Sequence, residues 1–153
     1  MDVADVLSQH RDELLDDAAG ALKRSRALHY ERSGDDFTRD RLAELADLVI
    51  TALRDRELDP VGQYCERIAD ERFQAGFATS EVQIAFNVLE EAKWSRVVTS
   101  VPPDELPQAI GLLSTILGFG KDALARRYVS LASRRHVPTL DLTALFQGVV
   151  ESG

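Results

Sequence analysis

Residues 71–82 of the chain read ERFQAGFATSEV, and this segment predicts two helices joined by a tight turn. Gly76 can close the first helix because glycine, which lacks a Cβ atom, adopts the left-handed conformation of a helix C-terminus without strain. Phe77 is placed to staple that turn to a hydrophobic core. Thr79 or Ser80 then caps the second helix, and Ser80-x-x-Gln83 fits the capping-box pattern. We call Gly76, Phe77 and Ser80 the hinge.

Helical periodicity continues on both sides of the hinge. Apolar residues recur at three- and four-residue steps through most of the chain, which is the spacing of one helix face. Five helices are predicted: residues 3–28; a helix from Asp36 or Thr38 through the apolar stripe 42–53; a helix from Asp59-Pro60 to Gly76; a helix from Thr79 or Ser80 to about Ser100; and a helix from about Asp104 to just before Pro138.

The sequence therefore predicts an all-α fold, with one domain over residues 3–135. Its architecture is expected to be a bundle of about five helices, loosely globin-like or bundle-like. Residues 136–153 form a short C-terminal tail or the start of a linker, with a weak apolar pattern at Leu142, Leu145, Phe146 and Val149. A length of 153 residues suits a single domain.

Composition narrows the classes of function. Lys and Arg number 18 against 26 Asp and Glu, which gives a formal charge of −8 and counts against binding to nucleic acid or to an anionic membrane surface. No run of 18 apolar residues is present, and the N-terminus lacks the features of a signal peptide. The single cysteine, Cys65, cannot form an internal disulfide and is compatible with a cytoplasmic location.

No catalytic or metal-binding pattern emerges from the titratable residues. His10 and His29 are nineteen residues apart on one predicted helix, too far to bind the same metal ion within it, and His136 is remote from both. Acidic pairs such as Asp12 and Asp16 are expected to be solvated helix faces, and Cys65 is expected to be a core residue. We predict that the chain is not an enzyme and binds no metal or cofactor.

The fourth predicted helix has more apolar surface than one core contact requires. Its main stripe comprises Val82, Phe86, Leu89 and Val97. Ile84, Trp94 and Val98 fall outside that stripe. A helix that is apolar on two sides is either enclosed within its own fold or shared with a partner.

The fifth predicted helix presents small residues on the side away from its apolar face. Gly111 and Gly118 lie there, although glycine inside a helix costs about 0.5–1 kcal/mol relative to alanine. This pattern favours a close backbone approach, either within the fold or between two subunits. Ile84, Trp94, Val98, Gly111 and Gly118 are the candidate residues of a homodimer interface. A monomer in which the first helix or the tail covers this surface is the alternative.

The segment from Glu71 to Trp94, with its Arg-x-x-x-Gly-Phe ending and Ser-Glu-Val restart, resembles the N-terminal domain of RsbR-type co-antagonists of bacterial stress signalling. The resemblance extends over roughly residues 5–133. It implies an all-α sensory or regulatory domain that dimerises, carries no catalytic residues and signals to an output domain or another signalling protein. The phosphorylatable output domain of that family is not among these 153 residues, so we expect either a stand-alone regulator or the sensory part of a longer protein.

Two functions are carried forward from the sequence. The first is a non-enzymatic signalling module that acts through dimerisation and protein–protein contacts. The second is a domain that binds a small apolar ligand or cofactor in a pocket between the fourth and fifth predicted helices.

Overall fold

A computed structural model describes residues 2–136. Within this range every regular element is an α-helix, which confirms the all-α class. The apolar pattern predicted for the tail lies outside the described residues.

Seven helices, rather than about five, make up the described part of the chain. They are α1 (Val3–Gln9), α2 (Arg11–Arg24), α3 (Leu28–Ser33), α4 (Asp35–Asp55), α5 (Asp59–Gln74), α6 (Thr79–Ser100) and α7 (Leu106–His136). The last four match the predicted second to fifth helices closely.

The first predicted helix, residues 3–28, is wrong as a single element. It is interrupted at His10, and it ends where Arg26 takes the left-handed conformation with φ of +56°. This second break redirects the chain, so that Leu28 is 55% exposed instead of continuing the buried stripe.

The start of α4 also differs in detail from the prediction. Gly34, with φ of +95°, is the N-cap residue, whereas Asp36 and Thr38 lie inside the helix. The Thr38 hydroxyl instead donates to the carbonyl oxygen of Gly34 at 3.0 Å and lies 3.3 Å from that of Tyr30. The side chain of Thr38 thus fastens α4 to α3.

The helices α5 and α7 form the most extensive packed pair and run in the same direction. Near the start of α5, a Cβ atom added to Gly62 would lie 3.0 Å from the ring of Phe119. Towards the other end, Asp70 accepts from Arg127 at 2.7 Å. The helix α6 leads from the end of α5 back to the start of α7, antiparallel to both. It packs against α7 and α2.

The core is continuous and involves every helix. Its largest fully buried apolar side chains are Phe86, Leu7, Leu14, Leu15, Leu22, Leu42, Leu89, Leu113, Leu117 and Leu124. The apolar stripe predicted for α6, which includes Phe86 and Leu89, is buried as expected. No helix within residues 2–136 combines the length and the hydropathy needed to cross a membrane.

Candidate functional site

The hinge has the geometry of a Schellman turn. Gly76 has φ of +87°, the left-handed conformation expected for it. Its N–H donates to the carbonyl of Phe73 at 3.1 Å, and the N–H of Phe77 donates to the carbonyl of Arg72 at 2.9 Å. These two bonds satisfy carbonyl groups that would otherwise lack partners at the end of α5.

Phe77 is buried at a point where several helices meet. Its ring centroid lies 5.0 Å from that of His29 and 4.9 Å from that of Tyr30, with an edge-on geometry in the second case. The guanidinium carbon of Arg72 lies 5.5 Å from the same centroid. The Phe77 carbonyl accepts from the hydroxyl of Tyr128 at 3.1 Å. One residue of the hinge therefore contacts α3, α5 and α7.

The residue that fastens the start of α6 is Glu81, and not the predicted Ser80. The N-cap is Ala78, whose N–H donates to Oε1 of Glu81 at 3.0 Å, and Ser80 is exposed in the first turn. Oε2 of Glu81 accepts from the N–H of His29 at 2.9 Å, and Oε1 lies 2.7 Å from Nδ1 of the same residue. Ser80-x-x-Gln83 is therefore not the capping box.

Electrostatics agree with this role for Glu81. Burial alone would raise the pKa of its carboxyl group, but hydrogen bonds from the N–H groups of Ala78 and His29 and from the His29 ring outweigh burial and lower it. The carboxylate is consequently held in its charged form across the junction between α3 and α6.

The candidate interface residues on α6 occupy two separate places. Trp94 is half-buried against the core, and Val98, one turn later, is 54% exposed. Ile84, also half-buried, precedes Trp94 by ten residues, which is about 15 Å along a helix. Ile84 therefore lies towards the hinge, away from the other two.

Gly111 and Gly118 are exposed on α7, and a Cβ atom added to either would meet no atom within 4 Å in the described part of the chain. Neither glycine therefore marks a close approach among the described residues. The close approach occurs instead at Gly120, where an added Cβ would lie 3.2 Å from Cys65 and 3.2 Å from Phe86.

The exposed parts of α6 and α7 lie side by side. Nζ of Lys121 is 2.5 Å from a carboxylate oxygen of Glu90, which fixes the register of the two helices. Trp94 is one turn after Glu90, and Gly118 is about one turn before Lys121, so the antiparallel arrangement places them at the same level. We call the surface formed by Trp94, Val98, Gly111 and Gly118 the α6/α7 face.

Sequence reasoning missed a buried lysine. Lys93 is fully buried, and its Nζ has one recorded partner, the carbonyl of Ala46 at 3.4 Å. Burial lowers the pKa of this amine to about 7, although the charge of Asp47 acts in the opposite direction. The sequence did contain a sign of this burial, because position 93 falls on the apolar stripe of α6 that runs from Val82 to Val97.

A cleft of about 600 Å³ opens between α2, α3 and α4. Its lining includes the buried apolar residues Leu22 and Ala27 as well as the charged residues Lys23 and Asp35. The ligand alternative placed a pocket between α6 and α7, so this cleft is in a different position. Its volume is within the range of small-molecule sites.

The remaining candidates are potential metal ligands and the thiol of Cys65. No three histidine, cysteine or carboxylate side chains within residues 2–134 are grouped as they would be around a metal ion. Cys65 is buried, and burial raises the pKa of its thiol to about 12. That thiol is thus a core group, as the sequence predicts.

The chain matches no family model, no curated protein and no solved structure. The resemblance to RsbR-type domains consequently depends on the residues from Glu71 to Trp94 themselves.

Proposed function

We propose that this chain is a non-enzymatic regulatory module of the bacterial stress-signalling type. In this proposal it acts in the cytoplasm as a homodimer and signals to an output domain or another signalling protein. The loosely globin-like arrangement implied by the RsbR-type resemblance is part of the same proposal. Exposed Val98 beside the open positions Gly111 and Gly118 is the observation that carries it.

The composition of the α6/α7 face suits a second copy of the chain. Gly111 and Gly118 are seven residues apart, which places them two turns apart on one side of α7. Without Cβ atoms they leave room for side chains of a partner, and Trp94 and Val98 supply apolar groups to fill it. A two-fold axis through the face would bring the glycines of each copy against the apolar residues of the other.

The hinge and the proposed interface share two helices, which offers a route for a signal. The helix α6 begins at the hinge and carries Trp94, whereas α7 contacts the hinge through Tyr128 and carries Gly118. A displacement of roughly 1–2 Å of either helix, which is typical of regulatory shifts at subunit interfaces, would change the hinge and the interface together.

Light scattering coupled to size exclusion, at tens of micromolar protein, tests the proposal. We expect the mass of a dimer for the parent chain and of a monomer for Trp94→Glu and Gly118→Leu. Ser95→Glu is the matched control, because it adds the same charge at an exposed position of α6 outside the face. A monomeric parent contradicts the proposal. If both variants remain dimeric, the interface lies elsewhere, with the segment of the first predicted helix as the next candidate.

The cleft between α2, α3 and α4 supports a second candidate function, the binding of a small apolar ligand or cofactor. Ala19→Trp would fill this cleft from α2. Native mass spectrometry or a visible absorption band of the purified protein would reveal a ligand, which the variant should lose. Retention of the ligand by Ala19→Trp would place its site elsewhere.

A further inference from the structure

Two arginines line a small cavity between α3, α4, α5 and α6. The cavity has a volume of about 20 Å³, and its polar lining consists of Arg41, Arg72, Tyr30 and Tyr64. A space of this size holds one water-sized species. It is separate from the α6/α7 face and from the large cleft, apart from Tyr30, which borders both cavities.

Arg72 is the more buried of the two arginines, with 4% of its surface exposed. Its Nε atom is buried and has no hydrogen-bond partner. The ion pair recorded for it is with Glu71, whose carboxylate oxygen is 3.6 Å away and belongs to an exposed side chain. Its guanidinium carbon lies 5.0 Å from the centroid of Phe37. Arg72 also forms a hydrogen bond with the side chain of Tyr30, so the Nε–H is the donor that lacks a partner among the described residues. A buried donor in this state is unfavourable unless something accepts from it.

Arg41 adds a second positive charge at the same place. Its guanidinium carbon lies 5.1 Å from the centroid of the same Phe37 ring. Its Nη1 atom donates to Glu44 at 2.5 Å, but its Nε atom is buried without a partner. Glu44 also accepts from the hydroxyl of Tyr64 at 3.1 Å, so this carboxylate is engaged at the edge of the cavity.

We propose that the cavity is a binding site for one halide ion, the monoanion nearest to water in size. Arg72 donates to it through Nε, and Nε of Arg41 is a second donor at the same place. Water could accept the hydrogen bond from Arg72, but it would not compensate the charge of this buried guanidinium, because the carboxylate of Glu71 is 3.6 Å away and exposed. A tetrahedral phosphate is too large for about 20 Å³. The inference is independent of the dimer.

Nuclear magnetic resonance of the parent chain tests the site through the Nε–Hε signals of its arginines. We expect sodium chloride to shift the Arg72 signal saturably at constant ionic strength, whereas sodium formate and sodium phosphate leave it in place. In crystals soaked with sodium bromide, an anomalous peak should lie within hydrogen-bonding distance of Arg72. A response to formate as strong as the response to chloride would contradict a site that holds one halide ion. An Arg72 signal that is insensitive to all three anions overturns the proposal.

Arg96 provides an internal control in the same spectra. Its Nε atom is also buried without a partner, but its other nitrogens lie 2.9 Å from Glu13 and 3.0 Å from Asp17. If Arg96 responds to the anions as strongly as Arg72 does, the effect is general screening and the proposal is wrong.

Substitutions distinguish anion binding in the cavity from a general effect of the positive charge of the protein. Arg72→Gln should weaken the binding of chloride at least about tenfold, which is the size expected for losing a charged hydrogen bond. If that variant does not fold, Arg41→Gln serves, since its side chain is 34% exposed. Arg126→Gln, at an exposed arginine of α7, is the charge-matched control and should leave the affinity unchanged. Equal affinity in the Arg41 variant, the Arg126 variant and the parent contradicts the site.

Discussion

Nδ1 of His29 lies 2.7 Å from Oε1 of Glu81, although the two residues are 52 positions apart in the chain. The contact joins the start of α3 to the first turn of α6. Because Glu81 also accepts from Ala78, one carboxylate both caps a helix and holds a distant segment against it. The hinge is thus stabilised by partners that no local sequence pattern contains.

Replacing Gly76 with alanine should destabilise the fold by at least about 1 kcal/mol, because alanine resists the left-handed conformation. An added Cβ would lie 3.5 Å from His29, an ordinary contact, so the effect isolates backbone strain. Gly20→Ala in α2 is the control and should be neutral or stabilising, since an added Cβ there would contact only the flexible end of the Arg24 side chain. Chemical denaturation of both variants measures the difference, and equal free energies of unfolding would show that residue 76 is unstrained.

Glu81→Gln should destabilise the protein at neutral pH by about 1–3 kcal/mol, because it removes hydrogen bonds to a charged acceptor. The folded-state pKa of Glu81 is lowered, so its contribution is present above the unfolded pKa of about 4.3 and is lost as the pH falls through the folded value. The parent should therefore lose more stability on acidification than the variant does. Thermal melts from pH 7 to pH 3, with Glu91→Gln as an exposed control in α6, provide the measurement. Parallel acid profiles for parent and variant would count against this account.

Lys93→Met should stabilise the protein by about 1–4 kcal/mol at pH 7 or below, because methionine fills the same space without a buried charge. The folded-state pKa of about 7 lies below the unfolded value, so the unfolded chain binds more protons and stability rises with pH above 7.

Unfolding should be followed between pH 7 and 9. At higher pH the raised pKa values of Cys65 and Tyr64 make the stability fall as the pH rises, because the unfolded chain loses protons that the folded chain keeps. The parent should become more stable across this window, and Lys93→Met should lack that increase. Lys23→Met, at an exposed site, is the control and should behave like the parent. A loss of stability in Lys93→Met would mean that the amine has a favourable partner.

Gly120→Ala should destabilise the packing of α5 against α7 by about 1–3 kcal/mol, the usual effect of overfilling a tight core. The added methyl group would be only 3.2 Å from Cys65 and from Phe86. Gly20→Ala, in α2, where an added Cβ would contact only the flexible end of the Arg24 side chain at 3.3 Å, should be neutral or stabilising. Calorimetric midpoints that are equal for the two variants would contradict the close packing described at Gly120.

The sequence predicted those features that depend on the backbone preferences of single residues. The hinge followed from Gly76, since glycine alone avoids strain there, and Pro60 marked the start of α5 correctly. The division of the first helix could not be predicted, because Arg26 adopts φ of +56° without being glycine. Its position depends on how α2 and α3 each pack against α4 and α6, which a helical wheel does not contain.

In the candidate site, too, local patterns could be predicted from the sequence and tertiary contacts could not. The wheel correctly placed Val98 outside the buried stripe of α6 and Gly118 on the side of α7 away from its apolar face. It could not show the close approach at Gly120, because that depends on tertiary contacts with Cys65 of α5 and Phe86 of α6. Lys93 was overlooked because lysine is rarely buried, although its position in the stripe carried the information.

The parallel alignment of α5 and α7 also has an electrostatic consequence. Two helices that run in the same direction place the partial negative charges of their C-terminal ends on the same side of the molecule, where they repel each other. The turn at Gly76 reverses the chain, so the partial positive N-terminus of α6 begins beside the end of α5. The hinge therefore balances helix macrodipoles as well as packing apolar groups. Any movement that drew Thr79 away from Gln74 would increase the repulsion between α5 and α7.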